Sequence, residues 1–329
     1  MSAYDVIGIG NAIVDVIAPA DDTFLDHMGI EKGIMQLIER DRAEVLYAAM
    51  AERVQTPGGS VANTIAGIGA LGLSTAFIGK VKDDALGRFY AKGMEEAGTT
   101  FPNVPVAGAN DPTSRSMIFV SPDGERSMNT YLGAGADISS SDVDAAVFED
   151  GKILFLEGYL FDKDDGKTAF AEAAAQMKAA GGRTGITLSD PFCADRHRVD
   201  FLRLITESMD FAIGNEAEWT TLYETDDLEV ALTKAAAVCD IIVCTRSGEP
   251  VVVRQGGKRI EVPVTPVTPV DATGAGDQFA AGFLFGLATG RELDVCGAMG
   301  VLAASEVICH IGPRPKANIT AMLKQAGLL

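Results

Sequence analysis

Val270-Asp271-Ala272-Thr273-Gly274-Ala275-Gly276-Asp277 runs directly into an apolar stretch from Gln278 to Leu287. Two closely spaced glycines let main-chain N–H groups approach an anion unobstructed. The helical pattern that starts at once aims the positive end of its dipole at the same point. A carboxylate, Asp277, sits on this anion-facing turn, where it is unfavourable unless it has a chemical task. The simplest task is to take a proton from a hydroxyl as that hydroxyl attacks a phosphoryl group. The alternative is a helix cap with glycines for tight packing. Such a cap needs one polar residue, and Asp271, Thr273 and Asp277 supply three.

Around this stretch, short apolar runs alternate with helical periodicity. Strands are expected at 6–10, 76–81, 153–156, 184–188, 211–213, 241–244, 250–254 and 259–264. Helices are expected at 41–53, 60–71, 84–97, 163–180, 198–207, 216–223, 228–238, 276–289 and 293–309. This rhythm predicts an α/β fold whose mostly parallel sheet is covered by helices on both faces. Three segments break the rhythm: 12–18, which continues the first strand with alternation, 34–39, and a hairpin over 113–133 around the turn Ser121-Pro122-Asp123-Gly124. They are expected to form a small separate sheet, a β lid on a single domain of 329 residues.

Composition narrows the function. A formal net charge of −19 argues against nucleic acid and anionic membranes as partners, because both need clustered Lys and Arg. Cys193, Cys239, Cys244, Cys296 and Cys309 are odd in number and form no C-x-x-C pair, which reads as reduced thiols. The N-terminal residues lack a basic signal region, and no apolar run is long enough for a bilayer. A soluble, cytoplasmic protein is expected.

Other motifs each have two readings. Gly58-Gly59-Ser60-Val61-Ala62-Asn63 is either a turn with Ser60 as helix cap or a close approach to a polar ligand, with Asn63 offering an amide to hydroxyls. Gly67-Ile68-Gly69-Ala70-Leu71-Gly72 matches the dinucleotide fingerprint but ends a helix instead of following a strand, so a nicotinamide-dependent oxidoreductase is disfavoured. Asn215-Glu216-Ala217-Glu218 could hold Mg²⁺ through water or be a capped helix start with acids in its first turn. Asp15, inside an apolar strand, is either buried with partners or aimed at vicinal hydroxyls. Arg126 alone reads as a solvated strand residue. Three scattered histidines make a zinc site improbable.

Taken jointly, these residues resemble the PfkB family, the ribokinase-like carbohydrate and nucleoside kinases. The strongest marks are Gly58–Asn63, Asp271–Asp277 and Asn215-x-x-Glu218. Gly8-Ile9-Gly10-Asn11-x-x-x-Asp15 and Arg126-Ser127-Met128-Asn129-Thr130-Tyr131-Leu132-Gly133-Ala134 are most similar to the adenosine-kinase branch. The resemblance implies a ribokinase-like three-layer α/β/α domain using ATP and Mg²⁺. It implies a small-molecule acceptor, a ribonucleoside or else a sugar such as ribose, fructose or a keto-deoxy sugar acid. Asp277 would be the base, and the amides of Gly274, Ala275 and Gly276 the anion hole. Arg126 would close over the substrate, and Asn11, Asp15, Gly58, Gly59 and Asn63 would hold it. Asn215, Thr245, Gly248 and Thr273 would lie along the nucleotide, and Glu218 with Asn215 would organise Mg²⁺. Many members bind K⁺ near the loop corresponding to Asp271 and Thr273; the sequence leaves this open, as it does the choice between monomer and homodimer. The helix start is expected to favour the ionised form of Asp277. A silent binding protein on the same scaffold is the remaining alternative, against which Asp277 itself weighs.

Overall fold

Alternate residues of each central strand enter opposite cores, so the sheet is buried on both sides. Val6, Ile153, Phe155, Ile241 and Val243 pack into one cluster; Ile7, Ile9, Leu154, Leu156 and Ile242 pack into the other. A period of two with both faces apolar is what a helix-covered parallel sheet requires. The computed structural model describes residues 4–329.

The chain begins β1 (Val6–Ile9), β2 (Ile13–Pro19), α1 (Asp22–Met28), β3 (Met35–Leu37), α2 (Arg40–Ala49), β4 (Val54–Gly58) and α3 (Ser60–Ala70). It continues β5 (Thr75–Ile78), α4 (Ala85–Glu96), β6 (Thr99–Thr100), β7 (Ser114–Val120), β8 (Arg126–Tyr131) and β9 (Ile153–Glu157). Then come α5 (Asp164–Ala179), β10 (Arg183–Thr187), α6 (Pro191–Arg196), α7 (Arg198–Ser208), β11 (Phe211–Asn215), α8 (Glu216–Leu222) and α9 (Leu228–Ala236). It ends β12 (Ile241–Arg246), β13 (Glu249–Gln255), β14 (Lys258–Val262), α10 (Ala275–Ala288), α11 (Leu293–Val307) and α12 (Ile319–Gln325). The large sheet has the order β14-β13-β12-β11-β10-β9-β1-β5-β6. It is parallel from β12 to β6, while β13 and β14 add antiparallel. Side chains of α3, α10 and α11 fill one core; those of α5, α7, α8 and α9 fill the other.

The expected lid is present, with one strand more than the sequence reading gave it. Its order is β3-β8-β7-β2-β4. β4 lies in a region read as the end of a helix followed by a turn. α2 stops at Ala49, and Val54–Gly58 pairs antiparallel with β2 at the sheet edge. An edge position tolerates Pro57, whose missing N–H made the segment look like a turn. Nor does β2 continue β1: Gly10-Asn11-Ala12 separates them, and they belong to different sheets. Among the described residues no helix is long and apolar enough to cross a membrane.

The Gly67–Gly72 motif behaves as a packing device. A Cβ on Gly67 would sit 2.9 Å from the Ala281 Cβ, so the glycine lets α3 press against α10. Gly72 follows the helix end with φ 99°.

Candidate active site

β1 pairs with β5 on one side and β9 on the other, and the chain leaves it in both directions. Such a reversal opens a crevice at the carboxyl ends of the strands. Here a cavity of about 700 Å³ opens, lined by Asn11 after β1, Glu157 at the end of β9, Ser189 after β10 and Asn215 at the end of β11. The turn into α10 and its first residues, Ala272 to Asp277, also line it, and the lid contributes Ile13, Asp15, Met35, Leu37, Met128 and Leu132.

Gly274 caps α10 with φ 79°. A Cβ there would come within 2.6 Å of the Pro313 Cα, so both conformation and space demand glycine. The first amide bonded back into the helix is that of Gln278, which donates to the Gly274 carbonyl at 2.8 Å. The amides of Gly276 and Asp277 fall in the first turn, where no helical carbonyl is available, and are donors for an anion.

Asp277 Oδ1 accepts from Ser60 Oγ at 2.7 Å, and Oδ2 accepts from Asn63 Nδ2 at 3.2 Å. Thr64 Oγ1 donates to the Asp277 carbonyl at 3.1 Å, tying the starts of α3 and α10 together. Ser60 is therefore not the helix cap; Gly59 holds that position with φ 101°, freeing the hydroxyl for the carboxylate. Burial pushes the Asp277 carboxyl up to about 6, against the pull of Ser60, Asn63 and Arg314. This reverses the expected direction: desolvation outweighs the stabilising donors. At neutral pH the group is still mostly ionised.

Asp15 projects from β2 and is 8% exposed, and none of its carboxylate oxygens accepts a hydrogen bond from the described residues. Burial raises it to about 7, opposed by Arg314 and Arg126. A carboxylate enclosed and unpartnered beside a cavity is an acceptor for ligand hydroxyls. Gly58 makes room for it: a Cβ would sit 2.7 Å from Asp15 Oδ1. Gly58 lies behind Asp15 and its carbonyl accepts from Tyr90 at 3.1 Å, so it shapes the site without lining it.

Glu157 is a site residue that the sequence reading missed. It is fully buried and accepts from Asn11 N at 3.2 Å, Asn11 Nδ2 at 2.9 Å and Val61 N at 3.0 Å. Burial lifts it to about 7. It orients Asn11, whose Oδ1 is buried without a partner in the same cavity. Its partners are 146 and 96 residues distant, and no local pattern announces the contact.

Asn215 and Glu218 form a reciprocal cap of α8. Asn215 Oδ1 accepts from Glu218 N at 2.9 Å, and Glu218 Oε2 and Oε1 accept from Asn215 N and Nδ2 at 2.8 and 2.7 Å. Glu218 is 6% exposed, lines the cavity, pairs with no cation, and is raised by burial to about 7, with Asp190 adding to the rise. A desolvated carboxylate that keeps spare lone pairs, with Asp190 nearby on the same cavity wall, suits a hydrated hard cation. No group of three or more His, Cys, Asp or Glu among the described residues converges to hold a metal directly.

Thr245, at the end of β12, faces an apolar cleft that adjoins the cavity at Gly276 and is walled by Val264, Phe279, Val301 and Ile308. Thr273 lines the main cavity. Gly248 stands apart on the exposed tip between β12 and β13. Arg126 and Asp271 also lie outside the cavity wall and pair with each other. Arg126 Nη2 donates to Asp271 Oδ2, both side chains being nearly buried. The same carboxylate accepts from Gly312 N at 2.9 Å and Thr273 N at 3.0 Å. Asp271 thus latches the lid strand β8 to the two loops that frame the start of α10.

The model of the pfkB family of carbohydrate kinases matches residues 29–320. The chain belongs to that family. It is an ATP-dependent kinase with the ribokinase-like architecture. An adenosine kinase structure from Sinorhizobium meliloti is 46% identical, with TM-score 0.91 over 99% of this chain and 100% of that one. A probable sugar kinase from Rhizobium etli is 43% identical, with TM-score 0.93 over the full length of both. Adenosine kinase 2 of Arabidopsis thaliana is 27% identical over 340 residues, covering 94% of this chain and 96% of its own.

Proposed function

We propose that the kinase transfers the terminal phosphoryl group of ATP to the primary hydroxyl of adenosine. The observation that carries this reading is the shape of the cavity. One end holds the half-buried carboxylate Asp277 beside the free amides of the first turn of α10, and the unpartnered Asp15 marks the sugar end. The lid side is apolar, with Ile13, Met35, Leu37, Met128 and Leu132, and Met35 and Leu37 are 42% and 48% exposed. A free sugar would leave that wall wet; a purine would cover it.

In this scheme Asp15, Asn11, Asn63 and the Gly59 backbone hold the ribose. Asp277 takes the hydroxyl proton as the oxygen forms its bond to the terminal phosphorus. The bond from phosphorus to the bridging oxygen breaks, ADP leaves with the electron pair, and the nucleoside monophosphate forms. The amides of Gly274, Gly276 and Asp277 face the charge that develops on the transferring group and need no reorganisation, whereas that of Ala275, expected among them, is spent on the Ala272 carbonyl at 3.2 Å. Arg126 keeps the lid over the site and adds positive charge, excluding water as a competing acceptor. The nucleotide lies along Thr273, Asn215 and Thr245 with its base in the adjoining apolar cleft. Glu218 and Asn215, through water, would hold Mg²⁺, which would supply neutralisation of phosphate charge.

Coupled ADP-release assays with adenosine, guanosine, ribose and fructose test the assignment. Turnover with adenosine at far higher kcat/KM than with any sugar is expected. Turnover with a free sugar and none with a nucleoside would overturn it.

A further inference from the structure

Arg314 comes from a loop after α11, Gly312-Pro313-Arg314-Pro315, that carries no motif. Its guanidinium reaches into the interior beside the catalytic carboxylates. Nε donates to Asn63 Oδ1 at 3.3 Å, and Nη2 lies 3.5 Å from Met94 Sδ. The groups that face it are Asp15 on β2, Asn63 on α3, Tyr90 on α4 and Asp277 on α10. Tyr90 is fully buried and neutral, its hydroxyl spent on the Gly58 carbonyl. Arg314 is therefore a cation set behind the buried Asp15 and the half-buried Asp277, and it does not line the substrate cavity.

We propose that Arg314 is a positioning residue for phosphoryl transfer, locking the Asn63 amide with its Nδ2 toward Asp277 and balancing the charges of Asp15 and Asp277. This rests on the reading of Asp277 as the base. An arginine can only donate, so it selects the oxygen end of the amide and leaves the nitrogen end for the carboxylate. With that donor gone the amide can turn, and its oxygen would then oppose Asp277. The positive charge acts in the same direction, because an opposite charge nearby favours the ionised carboxylate. Both Asp15 and Asp277 are held down by Arg314 against the rise that burial imposes.

Arg314→Lys, Arg314→Gln and Arg314→Met separate these contributions, with adenosine and ATP–Mg²⁺ as substrates and thermal melts as the check of folding. The acid limb of kcat/KM is expected to move to higher pH by about one unit in Arg314→Gln, as loss of a neighbouring opposite charge predicts. Activity should recover as the pH is raised past that limb. Arg314→Lys should keep the limb near its wild-type position, and Arg314→Met should show the shift together with the largest fall in kcat. The KM for ATP should hold in all three. Folded Gln and Met variants with an unmoved acid limb, or a loss uniform at every pH, would overturn the proposal. Should Arg314→Met not fold, the Lys and Gln pair decides. Asp277→Asn, measured alongside, keeps the two readings apart: full turnover in that variant sinks the base, whereas an inactive Asp277→Asn with unmoved limbs at residue 314 sinks Arg314 alone.

Discussion

In the proposed reaction Asp277 takes the hydroxyl proton, and it should therefore carry the pH profile. Asp277→Asn removes the acceptor while keeping the Ser60 and Asn63 contacts sterically possible. A fall in kcat of about 10²–10⁴ is expected, the usual share of a general base, with the melting temperature no lower than wild type, because the change removes a desolvated charge. Since the folded carboxyl titrates at about 6 and must be ionised to act, kcat/KM should hold above that pH and fall below it. A profile flat from pH 5 to 8 would remove Asp277 from this role. Asp277, Asp15 and Asn63 were legible because each sits in a local pattern that is hard to explain structurally: an acid on an anion-binding turn, an acid in an apolar strand, an amide after paired glycines. Glu157 and Arg314 were not. Their meaning depends on which strands and loops become neighbours, and Val61 or Asn63 lies 96 or 251 residues away.

At the level of elements, the contact between α3 and α10 sets the alignment of Ser60 and Asn63 with Asp277. Gly67→Val would force branched carbons against Ala281 and Gln278. A loss of about 1–3 kcal/mol, the range for overpacking, should appear in urea denaturation, together with lower kcat. The lid is held from the other side by the Arg126–Asp271 pair. Arg126→Met should raise amide exchange along β7 and β8, through the Ser121–Glu125 turn, more than in α5 or β10; equal protection in the variant would show that the pair does not hold the lid. Periodicity was enough to find the long helices and the hairpin. It was not enough for α1, α6 and α12, which are six or seven residues long and show too few turns for a face to emerge. β4 was hidden by its own Pro57, which its edge position makes harmless.

Over the whole molecule, the active site is a concentration of acid that folding makes less stable. Asp15, Glu157 and Glu218 are each lifted to about 7 by burial, from ordinary values of 3.8, 4.5 and 4.5. The folded state therefore binds more protons than the unfolded chain between about pH 4 and pH 7, so stability falls as pH rises through that window. Without ligand, the denaturant midpoint should be higher at pH 6 than at pH 8, and Mg²⁺ with nucleotide should narrow the difference. A midpoint that rises from pH 6 to 8 would show the carboxylates to be better compensated than burial implies. The α/β class followed from the alternation of runs, yet the position of the cavity followed from topology, the reversal between β1 and β9 that no single segment encodes. That topology also carries the chain between the small sheet and the α/β body four times, and two of the links are short: Gly10-Asn11-Ala12 from β1 to β2 and the single residue Gly59 from β4 to α3. Asn11 and Gly59 both line the cavity. Any swing of the small sheet turns these two joints through the largest torsion per residue, because the other two links are long, so whatever ligand touches them stiffens the pivot itself. Re-engineering either residue for a new acceptor would therefore alter how fast the enzyme opens and shuts along with what it holds.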